Sequence, residues 1–248
     1  SAAELLVSTT PGSSDRPAVT SFGSLQDEVA VRIDHLAESL AVGVPELLQD
    51  HLAWLKVAFK ARGIPVDLIR QAKRKGVAVS CSVPVLNLVY TDDDLSTFNT
   101  HFKVLPPLRD AEDREGLLAG LLDGTIDAIT SNHVPLEQEQ KKLEFAYAGF
   151  GASGLETAYA LVNTHLGKTL DQTGLVDKLA IQPRQLFGLD PARIQEGGKA
   201  EFTLFQPHRN WTFQLKERFS KSANSPLDGL SLNGWIVGVV NNGQSFFR

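Results

Sequence analysis

Twice between residues 65 and 130 the chain reads helix, glycine, apolar strand, and few folds accept that order. "PVDLIRQAKRKG" opens with Pro65 in its first turn, ends on basic residues and closes on Gly76. Proline at the start, cations at the end and glycine beyond it are the signals of a helix with a defined stop. "VAVSCSV" (77–83) follows as an apolar run without polar alternation, the pattern of a strand buried on both faces of a parallel sheet. The order then repeats. Asp110 is placed to cap "DAEDREGLLAGLLDG", Leu117, Leu118, Leu121 and Leu122 are expected to face inward, and Gly124 ends the helix before the strand "TIDAIT" (125–130). A further helix is predicted over "GLETAYALVNTHLG" (154–167). Helices alternating with apolar strands imply an α/β protein built from βα units.

The flanks read differently. Residues 1–24, rich in Ser, Thr, Pro and Gly, are expected to be irregular. Ser24 then opens a helix, with Asp27 completing an approximate capping box and Leu25, Val29, Ile33, Leu36 and Leu40 forming one apolar stripe. "PELLQDHLAWLKVAFKARG" starts as a helix, and its end, "WLKVAFKARG", reads as an amphipathic solvated helix carrying Lys56. After Gly188 come short strands, "AEFTLFQP", "NWTFQL" and "GWIVGVVNNGQSFF", and Asn242-Gly243 is a strong two-residue hairpin signal. The division expected is an irregular segment (1–24), an α/β domain (25–188) and a β-rich tail (189–248).

Composition excludes several classes. A net charge of −5 argues against a nucleic-acid or anionic-membrane surface. No run of 18 apolar residues is present. The start, "SAAELLVSTTPGSSDRP", lacks the basic and apolar regions of a leader, and the single cysteine, Cys81, sits as filler in an apolar run, so a cytoplasmic location is expected.

Five stretches carry a resemblance. "LIRQAKRKGVAVSC", "FKVLPPLRDAEDREGLLAGLLDGTIDAITSNHVP", "GFGASGLETAYALVNTHL", "PARIQEGGKAEFTLFQPHRNWTF" and "SKSANSPLDGLSLNGWIVGVVNNG" together resemble the long-chain dihydroorotases of the amidohydrolase superfamily, over roughly residue 64 onward. The resemblance implies a (β/α)8 barrel of the TIM type with catalytic groups at the carboxyl ends of its strands, here without a counterpart for the barrel's front half, flanked by a small β-sandwich. It implies reversible ring closure of N-carbamoyl-aspartate to dihydroorotate in pyrimidine biosynthesis. In the family, zinc polarises the amide carbonyl and supplies hydroxide, and an aspartate is both ligand and general base.

The positions that would do this are substituted. No His-x-His pair is present. The family's later ligand positions fall near Lys56, on Leu86 and Asn87, and on Asn132, where the base would stand. The asparagine of the family's Asn-Pro-Pro-Leu-Arg is Leu105, and a substrate-binding histidine is Leu136. Asn132 is nearly isosteric with aspartate but is neither an anionic ligand nor a proton acceptor. No metal is therefore expected, and zinc only if ligands lie outside this sequence.

Individual residues have plain alternatives. His133, in "SNHVPL", reads as a structural loop histidine more readily than as a ligand. Arg109 suits a carboxylate substrate or a salt bridge that holds its loop. Arg109, His133, Leu105 and Leu136 are the pocket candidates. Glu156 is expected to cap its own helix. The glycine-rich Gly149–Gly154 run follows no strand and is discounted as a dinucleotide fingerprint. Three functions stand side by side: a catalytically inactive dihydroorotase-like chain, oligomeric and structural beside aspartate transcarbamoylase; an active zinc-dependent cyclic amidohydrolase; and a small-molecule sensor.

Overall fold

The computed structural model describes residues 66–191 and 193–248, together with the backbone of 4–7 and 55–58. Its strands are β1 (Glu4–Val7), β2 (Leu55–Ala58), β3 (Val79–Pro84), β4 (Ala128–Thr130), β5 (Phe202–Thr212), β6 (Ser231–Asn241) and β7 (Gln244–Phe247). Its helices are α1 (Val66–Arg74), α2 (Val85–Val89), α3 (Ala111–Leu122), α4 (Gln138–Lys141), α5 (Ala158–Leu166), α6 (Gln172–Val176) and α7 (Gln182–Leu186), with a π-helical turn, Asp177–Ile181, between the last two.

The two helix–strand units form as their signals direct. In α1, Val66, Ile69 and Ala72 recur every third residue and are buried, so one face meets the sheet. Lys73 and Arg74 end it, and Gly76 at φ +77° provides the left-handed stop. Strand β3 is buried after its first residue and pairs in parallel with β4 through Ser82–Ala128, Val83–Ile129 and Pro84–Thr130. Asp110 caps α3 by accepting from the Asp113 amide at 2.9 Å. Leu117 and Leu121 are buried and Leu118 half-buried, but Leu122 is 52% exposed, contrary to its inward assignment. It is the last residue of α3 and stands outside the face that carries the buried Leu117, Gly120 and Leu121. At Gly120 a Cβ would stand 2.5 Å from Val66 Cγ1, so α1 and α3 approach through a position that only glycine fills.

The ladder of β4 is shorter than the apolar run suggests. The amide of Asp127 donates to Cys81 O at 2.8 Å, and the Cys81 amide donates to the Asp127 carboxylate at 2.7 Å. That carboxylate also pairs with Lys73 of α1 at 2.6 Å. A side chain thus extends the pairing where the strand has not yet begun. Arg70 pairs with Asp123 at 2.6 Å and ties α1 to the end of α3.

Among the described residues the parallel sheet expected of the helix–strand units is present in part. The strand order is β2-β1-β3-β4, and β1 is antiparallel to both β2 and β3, which leaves β3–β4 as the parallel pair. Two expectations are overturned here. Glu4–Val7 lies in the stretch read as irregular, and Leu55–Ala58, with Lys56, lies in the stretch read as a solvated helix. Four-residue strands carry too little period to be told from helix or loop, and their pairing is set by distant chain. The helices expected from Ser24 and Pro45 lie outside the described residues.

The tail is an antiparallel sheet of order β5-β6-β7. Asn242 (φ +50°) and Gly243 (φ +76°) form the two-residue hairpin turn, with Asn241 opposite Gln244. The two strands read around Pro207 are one long β5 whose register shifts between Gln206 and Asn210. A bulge lets a strand carry proline without breaking. The tail docks through β6 on α5: Asn163 Nδ2 donates to Pro207 O at 2.8 Å and Asn233 O at 3.0 Å, and the Asn233 amide donates to Thr164 Oγ1 at 2.8 Å. Phe213, Leu227 and Leu232 share one buried apolar cluster with Val83, Ile126 and Leu161, so tail and α/β part have a common core.

Candidate functional site

The segments that leave the carboxyl ends of β3 and β4 bring two of the expected site residues, Asn87 and Asn132, to one loop that includes Leu105. β3 runs straight into α2, which buries Leu86 in the apolar core and Asn87 at 3% exposure. Asn87 Nδ2 donates to Pro107 O at 3.0 Å and to Pro106 O at 3.3 Å. β4 breaks at Ser131-Asn132-His133, and Asn132 takes φ +44°, a left-handed conformation that asparagine tolerates better than most residues. The Asn132 amide N–H donates to Thr130 Oγ1 at 3.2 Å, and Asn132 Nδ2 donates to Leu105 O at 2.9 Å. Both side-chain amides therefore face backbone carbonyls of the same loop, Leu105–Pro107.

His133 is used by the backbone. Its Nδ1 lies 3.2 Å from the Gly154 amide and 3.4 Å from the Leu155 amide, so that nitrogen accepts and the ring proton belongs on Nε2. A bridge between His133 and Ala152 holds the same contact along the main chain. Leu136 is held through its peptide rather than its side chain: its N–H donates to Ser222 Oγ at 3.1 Å and its carbonyl accepts from the same hydroxyl at 2.6 Å. Arg109 Nε donates to Asp113 at 2.9 Å, four residues on, so of its two readings the loop salt bridge has a visible partner. Glu156 does not cap its own helix. Its carboxylate accepts from the Phe219 amide at 2.9 Å and the Ser220 amide at 2.7 Å, which binds the start of α5 to the loop before β6. A cleft with room for about one water molecule lies beside His133, Glu156, Arg218, Ser220, Ser222 and Ser225.

A zinc ion does not fit the residues of this site. Leu86 has no donor atom and is packed in the core. Asn87 and Asn132 offer N–H groups toward carbonyls where a cation needs lone pairs. Among the described residues no three His, Cys, Asp or Glu side chains converge.

Two buried lysines were not legible in the sequence. Lys141 Nζ donates to Thr100 O at 2.8 Å, Gly149 O at 2.8 Å and Lys103 O at 3.2 Å. Lys103 Nζ donates to Phe145 O at 2.7 Å and Ala146 O at 2.9 Å and stands 4.6 Å from the centre of the Phe150 ring. Burial, and then the neighbouring Lys103 charge, push Lys141 down to about 8. His101 lies beside them, and burial followed by the Lys141 charge lowers its pKa as well. Asn224 was missed too: its Nδ2 donates to Val134 O at 2.9 Å and Gly151 O at 3.2 Å, and its Oδ1 accepts from Ser153 Oγ at 2.7 Å. A loop lysine, a lysine that ends a four-residue helix and a loop asparagine carry no periodic signal that separates a buried tie from a solvated side chain.

No family model matches the chain. Curated relatives do. The dihydroorotase of Caldanaerobacter subterraneus subsp. tengcongensis is 38% identical over 194 residues, 77% of this chain and 45% of that protein. The dihydroorotase of Bacillus subtilis is 38% identical over 183 residues, 72% of this chain and 42% of that protein. Among solved structures, the L-hydantoinase (dihydropyrimidinase) of Arthrobacter aurescens superposes with a TM-score of 0.67 at 30% identity, covering 73% of this chain and 42% of that one. The inactive dihydroorotase-like domain of a CAD-like multifunctional protein from Chaetomium thermophilum gives 0.53 at 22% identity, covering 74% of this chain and 49% of that one, a likeness of fold. The chain thus spans about half the length of the relatives it matches. Across some three quarters of its own length, with structural neighbours among the amidohydrolases, it belongs with the dihydroorotases.

Proposed function

We propose that the chain is a dihydroorotase-like protein of pyrimidine biosynthesis that has lost catalysis and serves, in the cytoplasm, as a structural and oligomeric partner of aspartate transcarbamoylase. In this reading β3 and β4 are two staves of a (β/α)8 barrel, and the three-stranded tail is one layer of a flanking β-sandwich. The observation that carries the proposal is the 2.9 Å bond from Asn132 Nδ2 to Leu105 O. The family chemistry, as the resemblance implies it, needs at this position an anion that binds metal and takes a proton. An amide nitrogen has no basic lone pair, and here one of its protons is held by a carbonyl. Asn87, at another ligand position, faces its carbonyls in the same way. The Chaetomium neighbour, an inactive dihydroorotase-like domain of a multifunctional protein, supports the idea that this fold is kept where its chemistry is not.

Two measurements test the proposal. Purified protein, assayed with dihydroorotate and with N-carbamoyl-aspartate, with and without added zinc, should give no turnover above a protein-free control. Mixed with aspartate transcarbamoylase, it should co-elute on size exclusion at a larger mass than either alone. Zinc-dependent turnover would sink the inactive reading, and separate elution would sink the partner role.

A further inference from the structure

The convergence of two amides on one loop carries an inference about how this part of the molecule is held. Asn87 follows β3 and Asn132 follows β4, the parallel neighbours in the sheet. Their Nδ2 groups donate to three consecutive carbonyls, those of Leu105, Pro106 and Pro107. Pro106 and Pro107 have no N–H, so this loop cannot tie itself down with its own donors at those two positions. Its carbonyls must find donors from elsewhere, and both are supplied by side chains at the strand exits. The arrangement needs a donor at each position. A carboxylate at either position would set oxygen against oxygen, and an apolar side chain would leave buried carbonyls without donors. Asn87 is almost wholly buried, and its Oδ1 has no partner among the described residues. An orphaned acceptor of that kind is destabilising, which places the use of this residue in its two N–H bonds.

We infer that Asn87 and Asn132 act together as a metal-free clasp, which holds the Leu105–Pro107 loop across the exits of β3 and β4 and keeps that end of the sheet closed. The inference deepens the proposed function and rests on its reading of these positions. It gives the two substituted positions a present role, that of a cross-link between two strand ends and a loop.

Hydrogen exchange of the intact chain, followed by mass spectrometry on peptides spanning 103–109, tests the clasp without any activity measurement. The probes are the wild type with and without a chelator, Asn87→Asp, Asn132→Asp, the double variant, and Asn132→Ala as a milder change that removes the donor without adding charge. Asn132→Asp and Asn132→Ala should each speed exchange in the loop about tenfold, the change that follows from losing one hydrogen bond, and Asn87→Asp, which loses two, by at least as much. The double variant should add less than a second tenfold, because a loop released by one anchor is already open. The chelator should change nothing. Unchanged exchange in the single variants, strictly multiplicative effects in the double, or a chelator effect on the wild type as large as a substitution would each overturn the clasp. Turnover in the wild type, by contrast, would overturn the proposed function and leave the exchange result standing.

Discussion

Lys141 donates to the main-chain carbonyl of Lys103 at 3.2 Å, so one buried ammonium is held by the backbone of the residue that carries the other. Both side chains are buried, and among the described residues their partners are carbonyls and aromatic rings rather than carboxylates. Carbonyl dipoles offset part of the lost hydration but cancel no charge. That is why burial, with Lys103 beside it, draws Lys141 from 10.5 to about 8.

A rise in stability on the alkaline side follows. Below pH 8 Lys141 is charged in both states, and the folded protein bears the full penalty of burying that charge. Between pH 8 and 10.5 the folded state has released the proton while the unfolded chain still holds it. Stability therefore rises with pH across this window, by on the order of 3 kcal/mol if completed. Tyr90 and Tyr159, both raised to about 12 chiefly by burial, act in the opposite sense above pH 10, where the unfolded chain loses their protons first. The measurable rise thus lies between pH 8 and 10. Urea unfolding across that range should show it, and Lys141→Met should flatten the slope. An unchanged slope in the variant would assign it to other groups.

Asn132→Asp should destabilise most at neutral pH. The new carboxylate would face Leu105 O where the amide now donates at 2.9 Å. Loss of the bond and exposure of a carbonyl to a like partial charge cost about 1–3 kcal/mol. Protonation returns a donor to the site, so the deficit relative to wild type should shrink as pH falls through the carboxyl range. The difference in urea midpoint between the two proteins, followed from pH 7 to pH 4, checks this. A deficit that stays constant or grows would mean that the bond is not what the substitution removes.

The legible parts of the molecule were those with local causes. Asp110 at its cap, Gly76 and Gly124 at positive φ, and Asn242-Gly243 in its hairpin were all read correctly, because each signal acts within four residues. The antiparallel β1 was not legible: "ELLV" pairs with residues some 75 positions away, and nothing local announces a partner. Leu122 is exposed, against its inward assignment, because a run of leucines does not say how wide the buried face of its helix is. At the site, the sequence places amides at 132 and 87, where the resemblance implies metal ligands. It could not show that both amides would turn to the same three carbonyls, nor that Glu156 would leave its helix for the amides of Phe219 and Ser220.

Two glycines of one helix should respond in opposite directions to the same change. At Gly116 an added methyl meets nothing within 4 Å, whereas at Gly120 it would lie 2.5 Å from Val66 Cγ1 and 3.3 Å from Ile126 Cδ1. Alanine is favoured over glycine in a helix by about 1 kcal/mol, so Gly116→Ala should raise the melting temperature by several degrees. At Gly120 the same propensity gain opposes an overlap with a β-branched side chain of few rotamers, and overpacking costs about 1–3 kcal/mol. Gly120→Ala should therefore lower the melting temperature or leave it at best unchanged. Equal stabilisation by both would mean that α1 and α3 separate more easily than their contact implies.

Restoring one carboxylate should not restore turnover. Asn132→Asp returns the residue type that the resemblance assigns to the base, yet the rest of the site stays as it is. Leu86 remains a buried apolar side chain, Asn87 remains bonded to Pro106 and Pro107, and the Leu136 side chain offers no donor to a substrate. A missing acid–base group accounts for on the order of 10²–10⁴ in rate, so returning one of several absent groups still leaves the reaction near its uncatalysed speed. The substituted aspartate would also strain the loop it faces, which further removes it from a productive position. Dihydroorotate turnover by Asn132→Asp, with zinc supplied in excess, should match the wild type and the protein-free control. Measurable zinc-dependent turnover in the variant alone would show that the remaining residues hold a nearly complete site, and that Asn132 by itself keeps this protein silent.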